Sequence, residues 1–281
     1  MKILLTGARG FTGRHFKNVA ETLGHEIVPL TADLRDAGAL KLELTQLDFS
    51  QVVHLGAISF VGHGEAKAFY EVNTLGATNL LDGLLVADKK DVPILLSSSA
   101  NVYGNAKVSP IEETAPLAPV NHYAMSKMAM ETLAQNYLDR LDIRISRPFN
   151  YTGPGQDPSF LIPKLVHHFK SRSPILELGN LDVAREFNDV RMVCEAYLKI
   201  LEKGRSGEIY NICSGVGHRL RDVLAILRDL TNHDPAIHVN PAFVRANEIR
   251  QLTGSPGKLE GVTGPLLQYA LRDTLAWMLE A

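Results

Sequence analysis

Tyr123 and Lys127 have a spacing that suits acid–base chemistry. The segment from about Asn121 reads as a helix, and residues four apart on a helix share one face with a single turn between them. An unperturbed phenol titrates near pH 10, in the sense that it is a poor proton donor or acceptor near neutrality unless a positive charge stands beside it (about 10 for free tyrosine). Lys127 is placed to be that charge. A second polar group, Ser97-Ser98-Ser99, closes the apolar run Val92-Pro93-Ile94-Leu95-Leu96. Hydroxyls at the carboxyl end of a buried parallel strand lie where such sheets bind ligands.

The element that would bring a reactive partner to these groups is at the N-terminus. Lys2-Ile3-Leu4-Leu5-Thr6 reads as a strand that stops at Gly7, Gly10 and Gly13 and continues into a helix from Phe11 to Leu23, ended by Gly24. Gly7 permits the tight turn, Gly10 lets the backbone approach a pyrophosphate, and Gly13 lets the helix pack on the sheet. The helix N-terminus then faces the phosphates of a dinucleotide. Arg9 and Phe11 lie within this turn.

The second strand, Glu26 to Leu30, ends without the acid that commonly binds the ribose 2′-hydroxyl. Leu30 and Thr31 hold that place, and Asp33 with Leu34 follows, suited to the ribose or the adenine edge. With no acid at the strand end, and with Arg9 and Arg14 beside the turn, a 2′-phosphate would meet attraction. The expected cofactor is therefore NADP(H), with NAD(H) as the alternative. Gln51-Val52-Val53-His54-Leu55 reads as a buried strand whose exit, Gly56-Ala57-Ile58-Ser59, passes close beneath the cofactor; His54 reads as a core histidine and Asn73 as a structural amide with a cofactor-side role.

These elements imply an α/β fold: a doubly wound, parallel, Rossmann-type sheet with a smaller C-terminal substrate-binding domain. Further helices are expected at 36–47, 65–87 and 122–139, and the quick run from the second strand into Asp33 leaves little chain for another strand outside it. The expected division is 1–153 plus 182–213 for the dinucleotide and 154–181 plus 214–281 for the substrate, which lies in the cleft between.

A chain of 281 residues, 45% hydrophobic, can bury a large core. Its 29 basic and 31 acidic residues leave a formal charge of −2, and no basic run points to nucleic acid or an anionic membrane. No apolar stretch approaches the roughly 18 residues of a membrane span, and the N-terminal run is too short for a signal peptide, so a cytoplasmic protein is expected. Cys194 and Cys213 read as reduced thiols, and the ten histidines show no metal-ligand spacing, so no metal is expected.

With these residues in view, the chain resembles the extended short-chain dehydrogenase/reductases that act on nucleotide-activated sugars. The resemblance rests on Thr6-Gly7-x-x-Gly10-Phe11-x-Gly13, Ser97-Ser98-Ser99-x-x-Val102-Tyr103-Gly104, Tyr123-x-x-x-Lys127 and Arg147-Pro148-Phe149-Asn150-Tyr151-Thr152-Gly153-Pro154-Gly155. It implies a catalytic set of Ser99, Tyr123 and Lys127, with Pro148, Phe149 and Asn150 near the nicotinamide and substrate. It also implies a homodimer paired through the helices at 65–87 and 122–139.

The C-terminal part is similar to the GDP-4-keto-6-deoxy-D-mannose reductases in Gly179–Val190, in Tyr210–Arg219 and in Arg245-x-x-Glu248. A sugar diphosphate needs guanidinium partners in a chain of near-zero charge, for which Arg185, Arg219 and Arg245 are candidates, while Glu248 suits a ribose. Ser59, His63 and Asn101 are further candidates for the sugar.

Dehydratases of the family carry an acidic pair after the hydroxyl residue, because they move a C5 proton and eliminate water. Here those positions are Ala100 and Asn101. That loop is similar to the loop of the 4-epimerases, since GDP-mannose-type reductases also tend to have acids there. The leading expectation is NAD(P)H-dependent reduction of the 4-keto group of a nucleoside-diphosphate 4-keto-6-deoxyhexose. The alternatives are a 4-epimerase with retained NAD and a non-catalytic cofactor sensor.

Overall fold

The N-terminal apolar run forms strand β1 (Lys2–Thr6), buried beyond Lys2. The computed structural model describes residues 1–60, 64–241 and 251–281. After β1 come α1 (Phe11–Thr22), β2 (Glu26–Pro29), α2 (Ala37–Gln46) and β3 (Gln51–His54). A helical stretch follows, made of α3 (Ala66–Phe69), a π-helical segment (Tyr70–Leu75) and α4 (Gly76–Val86), and then β4 (Ile94–Ser97), α5 (His122–Ala134) and β5 (Ile143–Pro148). The rest comprises β6 (Tyr151–Thr152), α6 (Leu161–Lys170), β7 (Ile175–Leu178), β8 (Ala184–Arg185), β9 (Asn188–Asp189), α7 (Val190–Lys203) and β10 (Ile209–Ile212). It ends with β11 (His218–Arg219), α8 (Leu220–Thr231), β12 (Ala236–Val239), β13 (Gln251–Leu252), α9 (Gly257–Thr263) and α10 (Leu271–Glu280).

Six strands form one parallel sheet in the order β10-β5-β4-β3-β1-β2. The chain reverses its direction of progress across the sheet between β1 and β3, the switch point where such sheets open a crevice at their carboxyl edge. Among the described residues no strand pairs outside β2, as the short link to Asp33 suggested.

Alternation along the strands builds two cores. Ile3, Leu5, Val53 and Leu95 face α1 and α7, packing with Phe16, Ala20, Val193 and Tyr197. Leu4, Val52, Ile94 and Leu96 face the opposite way, onto Leu44 of α2, Leu80 and Leu84 of α4, and Met130 of α5. Each fully buried aliphatic side chain contributes on the order of 2 kcal/mol, so both faces of the sheet hold their helices firmly. A separate cluster joins α6, β7, α8 and α10 through Leu165, Phe169, Leu176, Val223, Leu227 and Leu275.

The uniform helix expected over 65–87 is instead widened to π geometry at Tyr70–Leu75. The wider turn turns Asn73 and Thr74 inward together: Asn73 donates to Ser126 Oγ at 3.0 Å, and Thr74 to the Ser126 carbonyl at 2.9 Å. Helix α5 stops at Ala134 and tightens into a 3-10 turn over Gln135–Tyr137, short of the expected 139.

Candidate active site

The crevice begins at the exit of β1. Gly7 has φ +70, and a Cβ there would stand 2.8 Å from the Gly56 amide nitrogen across the switch point; one on Gly13 would stand 2.1 Å from the Gly7 carbonyl oxygen. Only glycine satisfies both approaches. The turn closes with Gly10 N–H donating to the Gly7 carbonyl at 2.9 Å. No side chain caps α1 and its first turn holds no acid, which leaves its N–H groups and positive dipole end directed at an incoming anion. This cradle fits a dinucleotide pyrophosphate.

The ring of Phe11 stacks on Tyr151 with centroids 6.1 Å apart, and Thr12 Oγ1 bonds the Tyr151 hydroxyl at 2.8 Å, so the turn is braced by the chain after β5. Arg9 is exposed. Arg14 donates to the carbonyls of Arg9 at 2.9 Å and Gly155 at 3.1 Å.

On the far side of the turn, Leu34 packs where a Cβ on Gly56 or Gly76 would collide with it, and Asn79 fixes its carbonyl at 2.9 Å. Asp33 lies beside it, gripped by Arg35 at 2.6 Å; that hydrogen bond holds its carboxyl down at about 2. Leu55, Gly56 and Ala57 line the exit of β3, where Gly56 N–H donates to Thr6 Oγ1 at 2.9 Å. His54 is fully buried with Nδ1 2.8 Å from the same Thr6 hydroxyl and no partner for Nε2. Burial, reinforced by the charge of Lys127, pushes it down to about 3, so it is a neutral core histidine. Asn73 clamps the following loop, accepting from Ile58 N–H at 2.8 Å and donating to its carbonyl at 3.0 Å.

Ser99, Tyr123 and Lys127 are only 5%, 8% and 3% exposed. Ser99 Oγ accepts from the backbone N–H and the side-chain amide of Asn101, both at 3.2 Å, which leaves its own hydrogen to donate. The Tyr123 phenol is next to it. Burial raises the pKa of Tyr123 and the Ser99 hydroxyl opposes that rise without cancelling it. The lowering expected from a nearby ammonium together with an oxidised nicotinamide is not reached by the protein alone. The Lys127 ammonium is drawn onto the Ser97 carbonyl at 2.6 Å, and burial outweighs the nearby charge of Glu131 to bring it down to about 8.

Behind the set lies a pair that spacing did not single out. Arg147 of β5 grips Glu131 with 2.6, 3.0 and 3.2 Å contacts and donates to the Tyr103 hydroxyl at 2.9 Å, which donates to Asn211 at 2.8 Å. Glu131 sits one turn beyond Lys127, and that i, i+4 relation was the available signal. Ser97 Oγ and the Tyr197 hydroxyl, 3.0 Å apart, brace the strand tip from the other face.

Pro148 ends β5 and is buried; Asn150 is exposed beyond it, its carbonyl accepting from Asn188 N–H at 2.9 Å. Ser59 is exposed past β3. Arg185 and Arg219 belong to one small sheet, β11-β8-β13, in which Arg185 pairs with His218 and Arg219 with Ala184. Directly paired residues share a face, so the two guanidinium groups start from opposite faces and the short strands alone do not converge them. Glu186, unremarked in the sequence, is fully buried and accepts from Gly254 N–H at 2.7 Å, Ser214 N–H at 2.8 Å and Asn188 at 3.0 Å, tying the loops around Arg185 together. His63, Arg245 and Glu248 lie outside the described residues. Both cysteines are buried and free.

The profile of the "NAD dependent epimerase/dehydratase family" matches residues 3–213. The chain belongs to this family. Within it, the chain is 36% identical over 272 residues to the GDP-6-deoxy-D-talose 4-dehydrogenase of Aggregatibacter actinomycetemcomitans, covering 94% of this chain and 92% of that protein. It is 31% identical over 289 residues to the GDP-6-deoxy-D-mannose reductase of Pseudomonas aeruginosa, covering 98% and 94%. Among solved structures, RMD from Pseudomonas aeruginosa complexed with NADPH superposes with a TM-score of 0.91 at 29% identity, covering 99% of this chain and 97% of that one. As a family member the chain is an NAD(P)-dependent oxidoreductase of the extended short-chain dehydrogenase/reductase type. No helix among the described residues is long and apolar enough to cross a membrane.

Proposed function

We propose that this family member reduces the 4-keto group of a nucleoside-diphosphate 4-keto-6-deoxyhexose, a step of deoxysugar biosynthesis. When bound, a nicotinamide cofactor supplies the hydride. Gly7, Gly10, Gly13 and the start of α1 hold its pyrophosphate, with Arg9 and Phe11 at the turn. Asp33 and Leu34 frame the adenosine, and Leu55, Gly56, Ala57 and Pro148 line the crevice. Ser99 donates its hydroxyl hydrogen to the ketone oxygen, and Tyr123 delivers a proton to that oxygen as negative charge develops on it. Lys127 then stabilises the tyrosinate left behind. A phenol raised above its usual value is protonated at neutral pH, which suits the reductive direction.

Asn101, hydrogen-bonded to Ser99, stands where a dehydratase needs an acid, which removes elimination of water, and the choice of ketone reduction over epimerisation is carried by the relatives named as a 4-dehydrogenase and a reductase. Relatives named for GDP-6-deoxytalose and GDP-6-deoxymannose support a GDP-linked sugar and chemistry at carbon 4. In this reading 1–153 plus 182–213 bind the dinucleotide, while 154–181 plus 214–281 bind the sugar nucleotide through Asn150, Arg185, Arg219, Arg245 and Glu248, with Ser59, His63 and Asn101 toward the hexose. The protein works as a homodimer through the helices at 65–87 and 122–139, where Leu75 and Met125 are exposed apolar side chains. The test is cofactor oxidation with GDP-, dTDP- and UDP-linked 4-keto-6-deoxyhexoses. Net oxidation with the GDP sugar supports the reading, and the absence of turnover with all three removes it.

A further inference from the structure

The exit of β2 is occupied in a way the sequence concealed. Glu43, on the second turn of α2, reaches back so that one carboxylate oxygen accepts from Thr31 N–H and Thr31 Oγ1, both at 2.8 Å, and the other accepts from Ala32 N–H at 2.7 Å. Two successive backbone N–H groups with a hydroxyl beside them are a ready anion site. They sit at the end of the second strand, where sheets of this kind receive the adenosine ribose. A 2′-phosphate would need those donors, and Glu43 holds them while adding its own negative charge.

A second observation points the same way. The cleft beside Leu34, about 790 Å³, is lined by Asp33, Asp36 and Glu71 against a single cation, Arg35. Arg35 is already committed to Asp33 through contacts of 2.6, 3.0 and 3.2 Å. Of the two cations expected to welcome a phosphate, Arg14 donates to the carbonyls of Arg9 and Gly155, and Arg9 is exposed at the glycine turn rather than on the β2 exit. A dianionic phosphate placed there would be repelled and would find its donors taken, whereas a ribose hydroxyl can donate to a lone pair that Glu43 still has free.

We infer that this chain selects NAD(H) over NADP(H), and that Glu43, delivered from α2 in place of an acid at the strand end, makes the selection. This reverses the expectation drawn from Arg9, Arg14 and the missing strand-end acid. It rests on the reading of the crevice as a dinucleotide site.

The test is equilibrium titration of the full-length protein, followed by calorimetry, with NADH, NADPH, 5′-AMP and adenosine 2′,5′-bisphosphate, on wild type, Glu43→Gln and Glu43→Ala. The wild type is expected to bind NADH at least about tenfold more tightly than NADPH, and 5′-AMP more tightly than the bisphosphate, as like-charge rejection requires. Glu43→Gln should narrow both ratios by strengthening the 2′-phosphorylated ligand. Wild type binding NADPH as well as NADH overturns the selection. Variants that lose both ligands equally, with the ratio unchanged, overturn the role of Glu43. Binding of none of the four by a folded wild type overturns the dinucleotide site itself, a distinct failure. The fragment pair on wild type stands even where a variant does not fold.

Discussion

Lys127 Nζ donates a 2.6 Å hydrogen bond to the carbonyl of Ser97, two residues before Ser99 on the same strand tip. The cation of α5 and the hydroxyl of the β4 exit are thereby fixed to one piece of backbone, and the phenol of Tyr123, on the same helix as Lys127, meets Ser99 beside it. Ser97 is itself held by Tyr197, and α5 is held by Asn73 and Thr74 at Ser126.

Lys127→Met removes the ammonium and leaves the Ser97 carbonyl without its donor. The kcat for ketone reduction is expected to fall by about 10²-fold or more, the usual scale for an acid–base component, while circular dichroism stays unchanged. Lys127→Arg should not restore it, since the buried site is shaped to one ammonium. A Met variant within twofold of wild type would remove Lys127 from the mechanism.

The pH profile should differ between directions. Lys127, down at about 8, is charged below that pH and loses its proton above it, so the reductive rate is expected to be level from pH 6 and to decline above about 8. Oxidation of the corresponding alcohol needs the tyrosinate. Because Tyr123 is raised, that rate should increase with alkalinity until Lys127 is lost. Steady-state rates in both directions across pH 6 to 10 check this, and a reductive rate that climbs through pH 9 would contradict it.

Asn101→Asp exchanges an amide donor for a carboxylate acceptor against Ser99 Oγ. The Ser99 hydrogen would turn from the ketone to the new acid, and kcat should drop by roughly 10² with little change in KM, as for a lost oxyanion donor. Asn101→Ala should lose less, because the backbone N–H of residue 101 still holds Ser99. Equal losses in the two variants would show that the reversed donor does not matter.

His54 makes stability depend on pH in a defined window. Its folded pKa, about 3, lies below the ordinary 6.5, so as pH falls below about 6.5 the unfolded chain gains a proton that the folded one refuses. Stability is therefore lost between about pH 6.5 and 3, at up to about 1.4 kcal/mol per pH unit, and is unaffected above that range. His54→Gln keeps an acceptor for Thr6 and does not titrate, so its urea midpoint should fall less steeply with acid. Parallel curves for the two proteins would refute the assignment.

The glycine turn and the parallel sheet were legible because each follows from short-range spacing, whereas the grouping of Ser99 with Tyr123 and Lys127 came from the family resemblance and not from spacing. Gly7 and Gly13 announce a turn that no Cβ permits, and Tyr123 and Lys127 share a helix face by periodicity alone. What spacing could not carry is direction and partnership. The π-helical turn at Tyr70–Leu75 leaves no periodic mark, yet it turns Asn73 and Thr74 inward together. Glu43 is twelve residues past Thr31 on the next helix, and only the packing of α2 brings its carboxylate back to the strand end. Arg185 and Arg219 were grouped by charge, but the register of β8 with β11 starts them on opposite faces. Lys127 was assigned to Tyr123 by their spacing on one helix, whereas its ammonium donates to the Ser97 carbonyl.

Tyr123→Phe measures the central claim most directly, because it deletes the single hydroxyl that gives its proton to the ketone oxygen. With a GDP-linked 4-keto-6-deoxyhexose and saturating cofactor, kcat should fall by about 10²- to 10⁴-fold while cofactor affinity by titration stays within about twofold. A Phe variant that retains the wild-type rate would contradict the account.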